Sequence, residues 1–393
     1  MPPRVSIGLD LIGRRWPRRL SGARAGLVVH PASVNRNLIH ASSLLMKSAH
    51  FRLAVFFGPQ HGIGGETQDN MIEWEGFTDK ITGLPVYSLY GRTRKPSKEM
   101  LRDIDVMVVD LQDVGARYYT FIWTMALIME ACSETGKSVV ILDRPNPISG
   151  RHVEGPLLEP AYRSFVGLHR LPARHGMTIG EIALYVKDQN YPALDLQVIP
   201  MQGWKRSMWH DMTGLAWVMP SPNMPTLDSA TVYPGMCLLE GTDLSEGRGT
   251  TRPFEIFGAP FIDPHVLSRK MKEYRLPGVV FRPLYFQPTF QKHAGTLCGG
   301  CQIHVTDRQA FRPFQLGVSI LKAVHELYPR EFKWKNPPYE YEEQLMPIDI
   351  LSGSDRLRKD IVSGVSLKKM TQRWLEESEL FDKAVRRSYL LYP

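Results

Sequence analysis

DVMVVDLQDVGARYYTFIWTMALIMEACSETGKSVVILDRPNPISGRHVEGP, residues 105–156, decides the fold. It opens on an apolar run, Val106 to Val109, that ends in Asp110, Gln112 and Asp113, and a second run, Val139 to Leu142, ends in Asp143. Between them Phe121, Met125, Ile128, Met129 and Cys132 recur at helical spacing, and Gly136 follows as a natural stop. Short, nearly continuous Val and Ile runs are the mark of strands buried on both faces of a parallel sheet. The unit reads as strand, helix, strand, and its right-handed crossover puts both carboxyl ends on one sheet edge. Asp110, Gln112, Asp113, Asp143, Arg144 and Asn146 are expected to crowd that rim, where open α/β sheets bind ligands.

Similar units flank it. Upstream, Arg24 to Pro31 reads as a strand and Leu38 to Ser48 as its helix; Leu53 to Phe57 is a second buried strand running into Gly58-Pro59-Gln60-His61-Gly62. Residues 63–80 are polar, acidic and aperiodic, which suits a functional loop. Leu84 to Tyr90 looks like another strand and Ser97 to Ile104 like a short helix. Downstream, Thr178 and Glu181 have capping-box spacing, so Glu181 is assigned to a helix start rather than to chemistry. The alternation fades near Pro200, and the proline-rich MPSPNMP, residues 219–225, marks the boundary. Beyond it a mixed pattern points to a smaller α+β domain, with helices near 264–274, 314–328 and 367–377 and strands near 279–286 and 302–305. The fold class is therefore α/β, with domains at 1–218 and 219–393.

Composition excludes several classes. A chain of 393 residues can bury a large core, and no apolar run is long enough to span a bilayer. No signal peptide is visible, so a cytoplasmic location is expected, or a secreted or periplasmic one if a leader has been removed. The net charge of +8 is spread over short basic groups, which favours solvated faces or an anionic ligand over nucleic acid, for which no motif exists. Cys298 and Cys301 form a CxxC, but Cys132 and Cys237 stand alone, so no four-thiolate zinc site is completed, and His304 beside the pair reads as a strand residue. No metal is expected. Gly62-Ile63-Gly64-Gly65 lacks the helix and spacing of a dinucleotide site, and Gly136-Lys137-Ser138 precedes a strand, so it is no phosphate loop. Nor is any nucleophile elbow, zincin or kinase signature present.

What remains is a rim of carboxylates, amides and arginines suited to a hydroxyl-rich ligand, with Arg117, Arg144 and Arg174 able to pair with an anionic group. The blocks Gly58 to Gly62, Thr82 to Gly91, Asp110 to Arg117, Leu142 to Pro147, Val153 to Pro156, Arg174 to Thr178, Ser221 to Pro225 and Glu246 to Glu255 come in an order that resembles the NamZ/YbbC-like exo-β-N-acetylmuramidases. The resemblance runs from about Gly8 to Pro393. It implies a Rossmann-like domain carrying the active site, a second domain that helps bind substrate, and release of terminal N-acetylmuramic acid from peptidoglycan fragments without a cofactor. The lactyl carboxylate of that sugar would account for the arginines.

One departure matters. Where much of that family has Pro-Glu-His-Gly, this chain has Pro59-Gln60-His61-Gly62, and an amide transfers no proton at ordinary pH. Three readings stay open: another carboxylate serves, with Glu154, Glu66, Asp69 and Glu73 as candidates; the sugar differs; or the protein binds carbohydrate without cleaving it. Glycosidases use two carboxyl groups. Glu154, in a loop with no helix to cap, is the first choice, and Asp113 is either its partner or an anchor for Arg117. His61 orients hydroxyls or shuttles a proton. Glu246, Arg248 and Arg252 are expected to touch substrate across the cleft. Asn146, His175 and Asn223 are binding candidates by position, and Tyr118 or Tyr119 offers a stacking face.

Overall fold

The computed structural model describes residues 4–65, 67–69 and 71–393. The strands of the first half are β1 (Ala23–Val28), β2 (Phe51–Gly58), β3 (Phe77–Thr78), β4 (Pro85–Ser88), β5 (Val106–Val109), β6 (Ser138–Leu142), β7 (Glu154–Leu157), β8 (Pro172–Arg174) and β9 (Leu196–Ile199), and its helices are α1 (Gly8–Arg15), α2 (Ala41–Leu45), α3 (Phe121–Thr135) and α4 (Ile179–Asn190). Seven strands form one sheet in the order β3-β4-β2-β1-β5-β6-β9. All neighbours pair in parallel except β3, which closes the edge antiparallel to β4. The order reverses between β1 and β5, the crevice where such sheets usually take ligands.

The central unit forms as its sequence demands. β5 is buried at every position, and α3 ends at Gly136, whose φ of 64° supplies the left-handed C-terminal turn. Thr178 caps α4 by accepting from the Glu181 amide, and Glu181 accepts in return from the Thr178 amide. Two expected helices differ. Leu38 to Ser48 shrinks to the five residues of α2, and Ser97 to Ile104 is a run of turns; segments this short gain too few internal hydrogen bonds to offset helix nucleation.

The second half contains α5 (Leu227–Met236), β10 (Ile256–Ala259), α6 (Pro264–Glu273), β11 (Val279–Phe286), β12 (Cys298–Val305), α7 (Pro313–Leu327), α8 (Pro347–Ser352), α9 (Arg356–Val362) and α10 (Leu367–Ala384). Its strands make an antiparallel sheet, β10-β12-β11. Helices α5 and α7 cross at a glycine pair: a Cβ on Gly235 would lie 1.7 Å from the Pro313 carbonyl oxygen, and one on Gly317 2.1 Å from that of Gly235. Leu238, Leu239, Phe314 and Ile348 fill the core around that contact, in the same apolar cluster as Met107, Ile122 and Trp123 of the first half. Cys298 and Cys301 are free and buried in β12. Among the described residues, no cluster of three or more His, Cys, Asp or Glu side chains suits a metal, and no helix is long and apolar enough to cross a membrane.

Candidate active site

A pocket lies where the carboxyl end of β2 meets the segment before α3 and the loops of the second half. The first half contributes Gln60, His61, Tyr118, Tyr119, Thr120 and Val166; the second contributes Ser221, Asn223, Met224, Tyr233, Glu240, Arg248, Phe254, Tyr339 and Glu340. Three non-glycine residues of this wall hold left-handed backbone: His61 at φ 70°, Phe254 at 64° and Glu340 at 46°. Each such residue costs about 1–3 kcal/mol, and strain of this kind gathers at functional sites.

Glu340 stands on a two-residue turn closed by reciprocal backbone bonds between Tyr339 and Glu342, each 2.9 Å. Its Oε2 accepts from the Tyr90 hydroxyl at 2.8 Å and its Oε1 from the Gln60 amide at 3.4 Å. Burial, reinforced by the nearby Glu240 carboxylate, raises its pKa to about 7 against the opposing pull of Tyr90, Gln60 and Arg248. Glu240 lies in an ion pair with Arg248 at 2.8 Å and accepts from the Tyr339 hydroxyl at 2.6 Å. Behind them Glu246 meets Arg248 at 3.3 Å and Lys292 at 2.9 Å; although burial works to raise it, Lys292 and Arg248 hold its carboxyl below the usual glutamate range.

His61 faces the Thr67 carbonyl through Nδ1 at 2.8 Å, so that nitrogen carries the ring proton and Nε2 keeps a lone pair. Burial drives its pKa down to about 4, against the Thr67 hydrogen bond, and the ring is neutral at ordinary pH. It can accept from a hydroxyl, but it is not an acid. Asn223 donates to the Gln68 carbonyl at 2.8 Å, tying the 63–80 loop to the pocket wall.

Of the expected site residues, Gln60, His61, Tyr118, Tyr119, Asn223 and Arg248 line the pocket. Most of the rim turns inward instead, with Gln112 and Arg144 also lining a separate pocket beside Asn35 and Trp217. Asp110 is bound by Arg144 through two bonds of 2.6 and 2.8 Å; Gln112 donates to the carbonyls of Asp113 and Pro145; Asn146 donates to that of Met177. Asp113 takes the Gly115 amide at 2.7 Å and faces His175 Nε2 at 3.2 Å, so it neither reaches the pocket nor holds Arg117. Asp143 accepts from Thr178, Gly180 and Tyr392. Arg117 is spent on the carbonyls of Pro156, Leu171 and Leu351, and Arg174 on that of Ile148. Glu154, expected to have no helix to cap, is buried outside the pocket and accepts from the Gln315 amide at the start of α7 at 2.9 Å, so it does cap a helix, one from the other half of the chain. Arg252 pairs with Glu255 at 3.2 Å. Asp69 meets the Gln291 side chain, the exposed Glu73 interacts with Tyr341, and Glu66 lies outside the described residues.

Sequence reasoning missed Tyr90, Glu240, Tyr339 and Glu340. The one signal for the last two is the run PPYEYEE, residues 337–343, in which acids alternate with aromatics where no periodic element continues.

A parallel α/β sheet joined to a smaller α+β half, with a carboxyl-bearing pocket between them, defines a two-domain protein built to hold a polar ligand. Residues 25–228 match the family described as exo-β-N-acetylmuramidase NamZ, N-terminal, and residues 231–392 its C-terminal counterpart. The chain belongs to the NamZ family. It is 45% identical over 391 residues, 99% of its length and 92% of the relative's, to the peptidoglycan β-N-acetylmuramidase NamZ of Bacillus subtilis (strain 168). Two crystal structures of DUF1343 family proteins from Bacteroides fragilis NCTC 9343 share the whole fold, each at 99% coverage of both chains. One has a TM-score of 0.89 at 34% identity, the other 0.77 at 30%.

Proposed function

We propose that this protein is an exo-acting β-N-acetylmuramidase, a glycoside hydrolase that releases terminal N-acetylmuramic acid from peptidoglycan-type fragments. The observation that carries the reading is the pocket itself, in which two carboxyl groups in unlike surroundings, Glu340 and the ion-paired Glu240, face one cavity. Hydrolysis of a glycosidic bond needs such an unlike pair. Arg248 is the arginine of this wall, and it already faces Glu240 and Glu246. The B. subtilis relative carries the same activity in its name.

The non-catalytic reading raised by Gln60 is not favoured, because the pocket keeps its carboxyl pair without a glutamate at position 60. The test is hydrolysis of a chromogenic β-glycoside of N-acetylmuramic acid beside that of N-acetylglucosamine, which lacks the lactyl group. Release from the first and not from the second is expected. Binding of the muramic acid glycoside with no release would return the protein to the carbohydrate-binding class.

A further inference from the structure

Gln60 raises a chemical question that its surroundings answer. Its Oε1 accepts from the Thr120 hydroxyl at 2.7 Å, which fixes the amide so that Nε2 donates to the Tyr90 hydroxyl at 3.0 Å and to Glu340 at 3.4 Å. The Tyr90 hydroxyl, accepting from Gln60, must direct its own proton to Glu340. Two donors from the first half thus converge on the two oxygens of one carboxyl group from the second. Tyr341, beside it on the same turn, is clamped by the rings of Tyr90 at 5.5 Å and Phe165 at 6.4 Å and by the Arg94 guanidinium at 3.8 Å.

We infer that Glu340 is the group that protonates the departing glycosidic oxygen, and that Gln60 and Tyr90 are its positioning residues. The inference rests on the glycosidase reading above. In the step, the Glu340 O–H proton passes to the bridging oxygen as the bond from that oxygen to the anomeric carbon breaks, and the bonding pair leaves with the aglycone alcohol. Water then supplies a hydroxyl to the anomeric carbon, and the proton it sheds restores Glu340. The Gln60 and Tyr90 donors serve the moment between, when Glu340 is a carboxylate and needs hydrogen bonds to hold its charge in a buried site. Glu240 cannot take this role as it stands, since Arg248 and the Tyr339 hydroxyl hold it in an ion pair. The charged and titratable groups around Glu340 are Tyr90 from the first half, Glu240 and Arg248 across the pocket, and Tyr339 and Tyr341 on its own turn. Its pKa, raised to about 7, leaves it mostly protonated in mildly acidic solution.

The experiment compares wild type with Glu340→Gln on two substrates: N-acetylmuramic acid β-linked to N-acetylglucosamine, whose leaving alcohol must be protonated, and the 4-nitrophenyl β-glycoside, whose leaving group departs as an anion. A fall in kcat of about 10²–10⁴-fold on the disaccharide, and about tenfold or less on the nitrophenyl glycoside, is expected of a lost general acid. An equal loss on both, or no loss on the disaccharide, overturns the inference. Should Glu340→Gln not fold, Tyr90→Phe decides: losing a donor to the carboxylate raises its pKa, so the alkaline limb of kcat/KM moves to higher pH, and an unmoved limb overturns the proposal. A wild type that cleaves neither substrate removes the glycosidase reading itself, whereas an active wild type with an indifferent Glu340→Gln removes only the role of Glu340.

Discussion

At the scale of single residues the pocket is governed by what each charge has beside it. Arg248 is the counter-ion to both Glu240 and Glu246, and replacing it by Met leaves two buried carboxylates with Lys292 alone to face Glu246. Arg248→Met is expected to lose about 3–5 kcal/mol of stability, read from urea unfolding; a midpoint unchanged from wild type would show that water already screens the group. Gln60 offers the complementary change. Gln60→Glu sets a second carboxyl against Glu340, and two carboxyls at that distance cannot both ionise, so one of the pair's apparent pKa values rises above that of Glu340 alone. The alkaline limb of kcat/KM should therefore move up by about one unit or more; a superimposable profile would count against any coupling of the two positions. His61 and Gln60 were legible as residues of the sheet's carboxyl edge, where they line the pocket, because they follow a buried strand directly. Glu340 was not, since nothing in Tyr-Glu-Tyr-Glu announces a left-handed turn without glycine or asparagine.

Among elements, the contrast is between a turn that serves the pocket and a helix that serves the frame. The 339–342 turn is held on the first half by Tyr341, so Tyr341→Ala should loosen Glu340 and lower kcat by about 10–100-fold, the usual cost of a misplaced reacting group, with little change in unfolding midpoint. Equal kcat would mean that the reciprocal bonds of Tyr339 and Glu342 suffice to place the acid. Glu154 behaves oppositely. It accepts from the Gln315 amide at the start of α7, and Glu154→Ala should lose about 1–2 kcal/mol, as a cap does, while kcat on the nitrophenyl glycoside stays at the wild-type value; a collapse of kcat in a folded variant would restore it to the chemistry. Its apparent freedom in the sequence came from reading it against its neighbours in the chain, whereas the helix it caps begins at Pro313. Strands β5 and β6 and helix α3 were legible because their signals are local: continuous apolar runs, one stripe and one glycine.

For the whole molecule, the rim that the βαβ pattern pointed to became the joint that closes the chain on itself, and the ligand pocket moved to the seam between halves. Local patterns cannot show this, because the partners that fill the rim arrive from far along the chain. Asp143, at the end of β6, is bound by Tyr392 from the last residues, and Arg206 donates its amide to the Pro393 carbonyl at 2.8 Å. Burial pushes the Asp143 pKa up to about 7 despite its donors. An acid whose folded pKa lies above its unfolded value gives stability that is fully present below the unfolded value, near 4, and is lost as pH rises through about 7. The buried histidines act in the other direction. His30 and His210 are held below the ordinary histidine range, and His61 is lowered to about 4. Their contribution is present above about 6.5 and is lost as pH falls through the folded values. The two sets oppose one another between about pH 4 and 7. Asp143→Asn removes one side of that balance. Whatever its constant effect on the hydrogen bonds of the joint, its stability relative to wild type should shift in the variant's favour by about 2–4 kcal/mol from pH 4 to pH 8, measured by urea unfolding across that range. Parallel pH profiles for the two proteins would show that Asp143 is already ionised in the folded chain, and that the joint between the sheet and the C-terminal residues is held by charge rather than by a proton.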